Sequence, residues 1–393
     1  MGRQFSQGLI WKEATPNTIP TSPSCFKYRI ESTDVKSEQR NETISLLGMG
    51  RGASRKAFGL FDVSGNQGFV WNTDNAPILL SLAIGAATST ANATSDSWAA
   101  TTVYAKGDLV NHSDGLHTLV CYTAGTSGST EPDLSAYTTA AAGRDERTPA
   151  DGTVVWIIMP LLQEQSGERA DCITSFGVEL MDDNTCTTTD PDYCRYTGMY
   201  INSIPFSLAG DTISLKSSAA MVGMEEEDSI IVTDAGGTYE EMSAKSGYAE
   251  TELYQDNWSL ADLTYTFNGS ASALQTSAFD MTINNNVTLD DVIETDQGKI
   301  PNFGIIDVSG SFTILLDKTL YAEAAGHAVK SSKHTFQKAN GCLMEIELPQ
   351  FVLEKTYKMY ETAKSVSCQI PFSAFDSDAL KSITWRTISP VAF

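Results

Sequence analysis

An internal repeat constrains the fold of this chain more than any other feature of its sequence. The segment Gly59-Leu-Phe-Asp-Val-Ser-Gly65 returns as Gly304-Ile-Ile-Asp-Val-Ser-Gly310, with five identical positions and two apolar replacements. An apolar segment and then a helical pattern follow each copy, the helical patterns covering 76–87 and 319–325. Because the order of elements agrees on both sides of the short match, a duplicated unit is favoured over a chance identity.

The strands of each half are predicted from periodicity. Polar and apolar residues alternate in 198–208 and in 343–353, and each segment carries one proline. A closing strand follows each segment, at 212–216 and 365–370. Alternation with period two is typical of half-buried antiparallel strands. We therefore expect each half to run strand, turn, strand, helix and three further strands.

The repeated motif itself predicts a tight turn. An Asp side chain can bond its own backbone two residues on, and Gly adopts positive φ without a steric penalty. We assign the turn elements to Asp62, Ser64, Gly65, Asp307, Ser309 and Gly310.

These patterns predict a mainly β chain with two tandem sandwich or barrel units, each with one α-helix. A stretch without counterpart in the second half predicts a small all-β module inserted into the first unit. The predicted divisions are an N-terminal arm at 1–24, a discontinuous first unit at 25–94 and 163–222, the inserted module at 95–162, an acidic connector at 223–258 and a second unit at 259–393.

The charge balance excludes several classes of function. The chain has 49 Asp+Glu against 26 Lys+Arg, a formal net charge of -23. Gripping DNA or an anionic membrane needs clustered cations, which a chain this acidic lacks. No run approaches the roughly 18 apolar residues of a membrane span. We therefore predict no membrane insertion.

The sequence carries no motif of enzyme chemistry. It has four histidines and none of the common zinc, nucleophile-elbow or phosphate-loop patterns. Seven cysteines without a CxxC pair predict reduced thiols in a cytoplasm, with a Cys186–Cys194 bridge as the alternative. We predict no catalytic residue, no metal ligand and no cofactor.

Several segments resemble bacteriophage tail tube proteins of siphovirus type. The hairpin formed by 198–208 and the following Gly210-Asp-Thr-Ile-Ser is similar to a hairpin of that family. The order of 278–286, 304–310, 320–321 and Leu348-Pro349 is similar to its second-half pattern. The resemblance covers about 20–95 and 165–393. It implies two tail-tube-type units in a structural subunit of stacked rings, which form the conduit for DNA ejection.

The resemblance also implies the partners and location of the chain. Two units per chain would let three copies form a ring with pseudo-six-fold symmetry, with six copies as the alternative. The lumen would hold the tape measure protein and genomic double-stranded DNA, and the tube ends would meet tail terminator and baseplate proteins. Assembly would occur in the host cytoplasm, and the product would lie in the virion tail. A tail terminator or a glycan-binding decoration protein is the alternative function.

The insertion resembles a small module of phage structural proteins that is akin to chitin-binding modules. The similar segments are 103–110, 124–132 and 151–156, together with Cys121. In such modules aromatic rings on one face can stack on sugars. The aromatic residues of this module are Trp98, Tyr104 and Trp156. Two alternatives stay open for them: they form a platform for a cell-surface glycan, or they form the core of the module.

The terminal segments and a glycine-rich loop are predicted to make contacts between rings. The arm at 1–24 places large apolar residues among polar ones, and stacking of rings is an open-ended contact. The candidate contact residues are Ile10, Trp11, Gly48, Gly50, Gly52 and Phe393.

Overall fold

Antiparallel strands dominate the computed structural model of this chain. The structure describes residues 5–20, 23–44, 55–139, 144–148, 150–182, 192–209, 214–227, 249–254, 256–271, 276–291, 299–315, 327–354, 359–361 and 366–393. The prediction of a mainly β fold is confirmed. The second predicted helix, at 319–325, lies outside the described residues.

The elements follow one another in four stretches. The first contains β1 (Phe5–Lys12), β2 (Ser24–Arg29), β3 (Ser32–Thr33), β4 (Lys36–Ile44), β5 (Arg55–Val70), α1 (Ala76–Ala83) and β6 (Ser89–Asn92). The second contains β7 (Val103–Tyr104), β8 (Leu109–Asn111), β9 (His117–Thr123), β10 (Gly125–Thr126) and β11 (Val155–Pro160). The third contains β12 (Gln163–Glu168), β13 (Phe176–Asp182), β14 (Asp192–Ala209), β15 (Lys216–Gly223) and β16 (Glu225–Glu227).

The fourth stretch begins after the acidic connector, of which 228–248 lies outside the described residues. It contains β17 (Ala249–Glu252), a 3-10 turn (Leu260–Asp262), β18 (Leu263–Phe267), β19 (Ser270–Ala271), β20 (Thr276–Asn284), β21 (Val287–Asp291), β22 (Lys299–Phe303) and β23 (Asp307–Leu315). It ends with β24 (Val329–Gln337), β25 (Leu343–Leu353), β26 (Met359–Glu361), β27 (Val366–Ala374) and β28 (Thr384–Ser389).

The helix predicted within 76–87 is confirmed as α1. All eight of its residues are buried, which explains an apolar pattern on every helical face. Pro77 lies in the first turn, where its missing N–H leaves no helical bond unmade. Just before the helix, the Asn75 side chain donates a hydrogen bond to the Val70 carbonyl at 2.8 Å. In the part of the chain that the structure describes, no helix is long and apolar enough to cross a membrane.

Two sets of five strands share one order of antiparallel pairing. The first set runs β4, β5, β15, β14, β13. The second set runs β20, β23, β27, β25, β24. The strand that carries the repeat, β5 or β23, holds the same place in each. The agreement in pairing order is what a duplicated unit would produce.

A register shift occurs at the same place in both sets. Between β13 and β14 it separates Phe176 from Val178, and between β24 and β25 it separates Lys330 from Ser332. Met199 lies opposite Phe176, and Phe351 lies opposite Lys330. Met199 therefore corresponds to Phe351, so the sequence prediction that aligned 198–208 with 343–353 is wrong by several residues. The closing strand of the first half is β15, which begins at Lys216, and the predicted strand residues 212 and 213 lie outside the described residues.

The prediction of a turn at the repeated motif is also wrong. Asp62, Ser64 and Gly65 lie inside β5, and Asp307, Ser309 and Gly310 begin β23. The glycines are explained instead by the close approach of a neighbouring backbone. A Cβ atom on Gly65 would collide with the Val35 backbone, and one on Gly310 would collide with the Asp280 carbonyl oxygen.

Segment 97–160 forms two small sheets of its own, β8–β9–β11 and β7–β10. One face of the larger of these packs around a separate cluster that includes Leu119 and Trp156. The other face contributes Val120, Ile157 and Met159 to the main core. Arg144 also donates to the Asp74 carboxylate at 2.7 and 2.9 Å. This segment is therefore docked firmly on the main body.

Candidate functional site

Strand β14 joins the two sets of strands by pairing with both of them. Its first part pairs with β13 and β15, within the first set. Its last seven residues, from Ser203 to Ala209, pair with Asn284 to Ala278 of β20, the first strand of the second set. The two sets are thus connected by a continuous backbone ladder. We call this ladder, together with the side-chain contacts beside it, the joint.

Asn285 fixes the joint where β20 ends. Its side-chain amide donates to the Ala83 carbonyl at 2.9 Å and to the Ile201 carbonyl at 2.8 Å. Its backbone N–H donates to the Asn202 carbonyl at 2.7 Å. Because the residue is buried, these bonds form away from water, where an unpaired amide would be costly.

The β21–β22 hairpin of the second half covers one face of the first set. Val287 is buried there in a cluster with Ile173, Tyr200 and Met224. The Phe303 ring meets the Tyr200 ring edge to face, with centroids 5.5 Å apart. We call this the outer face of the first set. Because side chains alternate along a strand, the residues on the opposite face line the main core.

An ion pair ties the same hairpin to the repeat. Lys299 Nζ lies 2.9 Å from Asp62 Oδ1, and the lysine side chain is only 2% exposed. A lysine buried to this degree needs a compensating charge. The repeat aspartate of the first half therefore helps to hold the second half in place.

Burial dominates the electrostatics beneath the hairpin. The pKa of Glu13 is raised chiefly by burial, although the Gly198 and Asn17 N–H groups donate to its carboxylate and oppose the shift. Burial is also the main cause that raises the pKa of Tyr200 to about 12. Both side chains are almost inaccessible to water, with Glu13 3% exposed and Tyr200 1% exposed.

The structure corrects the glycan platform expected in the insertion. Trp156 is fully buried, and Tyr104 is buried against it with ring centroids 4.9 Å apart. The indole N–H groups of Trp98 and Trp156 both donate to Asp151 Oδ2 at 2.9 Å. Two of the three rings are therefore core residues, with no face open to a sugar.

The structure also corrects the expected contacts at the chain ends. Ile10 and Trp11 are buried, because β1 pairs with β2 and β13 rather than forming a free arm. Phe393 packs on Phe26 with ring centroids 5.6 Å apart. Ile10 and Trp11 are therefore engaged within their own chain, whereas Phe393 is half-buried and its contact between rings stays a prediction. Gly48, Gly50 and Gly52 lie outside the described residues, as does Cys186 of the alternative disulfide.

Sequence reasoning missed the residues that form the joint. The Asn-rich turn at 284–286 was visible as part of a family pattern, but its role in binding β14 and α1 was not. Lys299 is a lone cation among the acidic residues of its hairpin, a pattern that indicates a specific carboxylate partner. Among the described residues, no group of three or more His, Cys, Asp or Glu is arranged to hold a metal ion.

Comparison with known protein families decides the class of this chain. A family model described as phage tail tube protein matches residues 6–363, which is nearly the whole sequence. The chain belongs to the phage tail tube protein family. A search of curated proteins finds no match.

Family membership fixes the broad function. This tail tube protein is a structural subunit of the phage tail tube, it belongs to the virion tail, and it polymerises with itself into a tube. The family is structural and is not a family of enzymes. A mainly β fold with long antiparallel ladders agrees with that assignment.

Proposed function

We propose that this tail tube protein forms the wall of a conduit for genomic double-stranded DNA during ejection, in a tail of siphovirus type. The joint between the two strand sets carries the proposal. Its two sides are different surfaces, β14 with the outer face on one and β20 with its hairpin on the other. Repetition of such a heterologous contact closes a ring when its rotation divides a full turn, and we propose that it does so here. Continuous strand pairing around the ring would leave no open sheet edge.

We infer three chains per ring, with six chains as the alternative. The two sets share their pairing order and the position of a register shift. Units so alike in shape can occupy near-equivalent places around one axis. Three copies of a two-unit chain would then give pseudo-six-fold symmetry, and rings would stack into the tube.

The proposed units follow from the same pairing. We assign 25–94 with 163–222 to a first tube unit and 259–393 to a second, linked by the connector at 223–258. Segment 95–162 is assigned to an inserted module, since its strands pair with none of the large sheet within the described residues. The pairing of β1 with β2 and β13 adds the N-terminal segment to the first unit.

Charge suits the proposed contents of the bore. With a net charge of -23, carboxylates are available to line the lumen and repel DNA phosphates, so that DNA slides without binding. The bore would hold the tape measure protein before ejection, and the ends of the tube would meet the tail terminator and baseplate proteins. Assembly is proposed to occur in the host cytoplasm.

Negative-stain electron microscopy of the purified chain over a range of concentrations tests the proposal. We expect hollow tubes, or rings at low concentration that stack as the concentration rises. Rings that never stack at any concentration would indicate a tail terminator instead. Single particles at high concentration, from a chain with a cooperative thermal melt, would contradict the role of a tube subunit.

A further inference from the structure

Within the part of the chain that the structure describes, one face of the second set of strands carries exposed apolar side chains. Val329 is 59% exposed and Phe375 is 37% exposed. Val352 lies directly opposite Val329 in the β24–β25 ladder and is half-buried. Phe375 follows β27, and its N–H donates to the Gln350 carbonyl in the neighbouring strand. Single exposed apolar residues are ordinary, but a contiguous group of them marks an interface.

The same face of the first set is covered. Tyr200 pairs with Val222, which pairs with Ser64 of the repeat. Val352 pairs with Ser373, which pairs with Ser309 of the repeat. Because Ser64 and Ser309 are equivalent positions of the repeat, Val352 is equivalent to Tyr200. The Phe303 ring of the β21–β22 hairpin contacts Tyr200.

Phe375 also has a counterpart under that hairpin. Gly223 pairs with the repeat residue Val63, and Ala374 pairs with the repeat residue Val308. Met224 follows Gly223 in the chain, and Phe375 follows Ala374. Met224 and Phe375 therefore occupy equivalent positions in the two sets. Met224 is buried by the hairpin cluster, whereas Phe375 is exposed.

The first half has a hairpin of the same kind, at the ends of β4 and β5. Asn41 pairs with Phe58 there, as Val287 pairs with Phe303 in the second half. Each phenylalanine stands four residues before the repeat aspartate. Phe61 of this hairpin is 45% exposed. The two hairpins thus hold equivalent places in the strand order, and the one in the second half is seated on an apolar face.

Charge complementarity points to the same pairing of surfaces. Residues 45–56, which comprise the link between β4 and β5 and the first two residues of β5, contain Arg51, Arg55 and Lys56 and no acidic residue. Asp307 on the second set is exposed. It occupies the repeat position of Asp62, which binds the hairpin residue Lys299 within the chain.

We propose that the outer face of the second set, formed by Val329, Val352 and Phe375, receives the β4–β5 hairpin of a neighbouring copy of this chain. The contact between chains would then repeat the joint within the chain, and each copy would contribute one hairpin and one receiving face to the ring. This inference rests on the proposed function and names the surfaces that close the ring.

Two aspartate variants test the receiving face. Val329→Asp and Phe375→Asp should each raise the protein concentration needed for assembly by about a hundredfold, because association would desolvate a carboxylate within an apolar contact. Val103→Asp is the matched control, since Val103 is 76% exposed and lies on the separate β7–β10 sheet. It should assemble as the unmodified chain does. Sedimentation velocity and electron microscopy measure assembly, and thermal melts check that each variant is folded.

The outcomes separate this inference from the proposed function. If the unmodified chain stays monomeric, the proposed function fails and the inference fails with it. If the unmodified chain assembles and both aspartate variants assemble at the same concentration, the inference is overturned and the proposed function stands. Phe375→Ser guards against an effect of the new charge on folding. It replaces the ring by a small uncharged hydroxyl group, and we expect about a tenfold rise in the assembly concentration.

Discussion

A buried histidine in the second set gives the protein a defined dependence of stability on pH. His334 lies in β24, and its ring stacks on Phe279 with centroids 4.1 Å apart. Neither ring nitrogen has a hydrogen-bond partner among the described residues. Burial lowers the pKa of His334 to about 3. The imidazole therefore stays neutral in the folded state at any pH at which the protein is handled.

The size of the effect follows from linkage. An unfolded histidine titrates near a pKa of about 6.5, so the unfolded chain gains a proton below that pH and the folded chain does not. Stability is fully present above the unfolded pKa and is lost as pH falls toward the folded pKa. The loss from this one group is about 1.4 kcal/mol between about pH 7.5 and 5.5. That window stays above the sequence pI of about 4.4.

His334→Leu should remove this dependence. Leucine is the natural choice because the pairing places the buried Leu180 of the first set at the matching position. Urea unfolding of dilute, unassembled protein at a series of pH values gives the free energy of unfolding. The difference between variant and unmodified chain should grow in favour of the variant by about 1.4 kcal/mol as pH falls through the window. Phe336→Leu, a buried neighbour without a titratable group, should shift stability by a constant amount.

Parallel stability curves for the unmodified chain and His334→Leu would refute the reasoning. They would mean that the imidazole is hydrated or paired in solution. A difference that grows with rising pH would refute it equally, because it would require the folded state to stabilise the charged ring.

Three further substitutions have definite expected outcomes. Phe303→Ala should lower the free energy of unfolding in urea by about 2 kcal/mol, because the Phe303 ring packs on a buried tyrosine. Ile300 is exposed on the same hairpin, and Ile300→Ala should lower it by under about 0.5 kcal/mol. Equal losses in the two variants would contradict a seated hairpin. Gly310→Ala should cost about 3 kcal/mol, because its Cβ would collide with the Asp280 carbonyl; an unchanged melting temperature would contradict this. Asp151→Ala should cost about 2 kcal/mol, because one buried and one half-buried indole N–H group lose their acceptor; an unchanged midpoint of urea unfolding would count against that role.

Local patterns predicted the elements well where a segment's own periodicity determined its structure. Helix α1 was visible because its residues are apolar on all sides, and β25 because its residues alternate. The prediction of a turn at the repeated motif was wrong because Asp, Ser and Gly are common in turns. The need for glycine there comes from the approach of Val35 and Asp280, which are far from the motif in the sequence.

Long-range contacts explain the remaining errors. The segment around Trp11 looked unpartnered because the glycine that makes room for its indole, Gly177, lies far along the chain. The aromatic residues of the insertion left two interpretations open, and the burial of Tyr104 and Trp156 assigns these two to the core. Lys299 and Asp62 are 237 residues apart, and no local pattern pairs them.

Cryo-electron microscopy of assemblies grown from the purified chain tests the central claim most directly. We expect a hollow tube of stacked rings, with three chains per ring and six near-equivalent strand sets around the bore. The contact between chains should reproduce the β14–β20 ladder and the seated hairpin found within the chain. A tube in which neighbouring chains meet through other surfaces, or a folded chain that stays monomeric at high concentration, would contradict the claim.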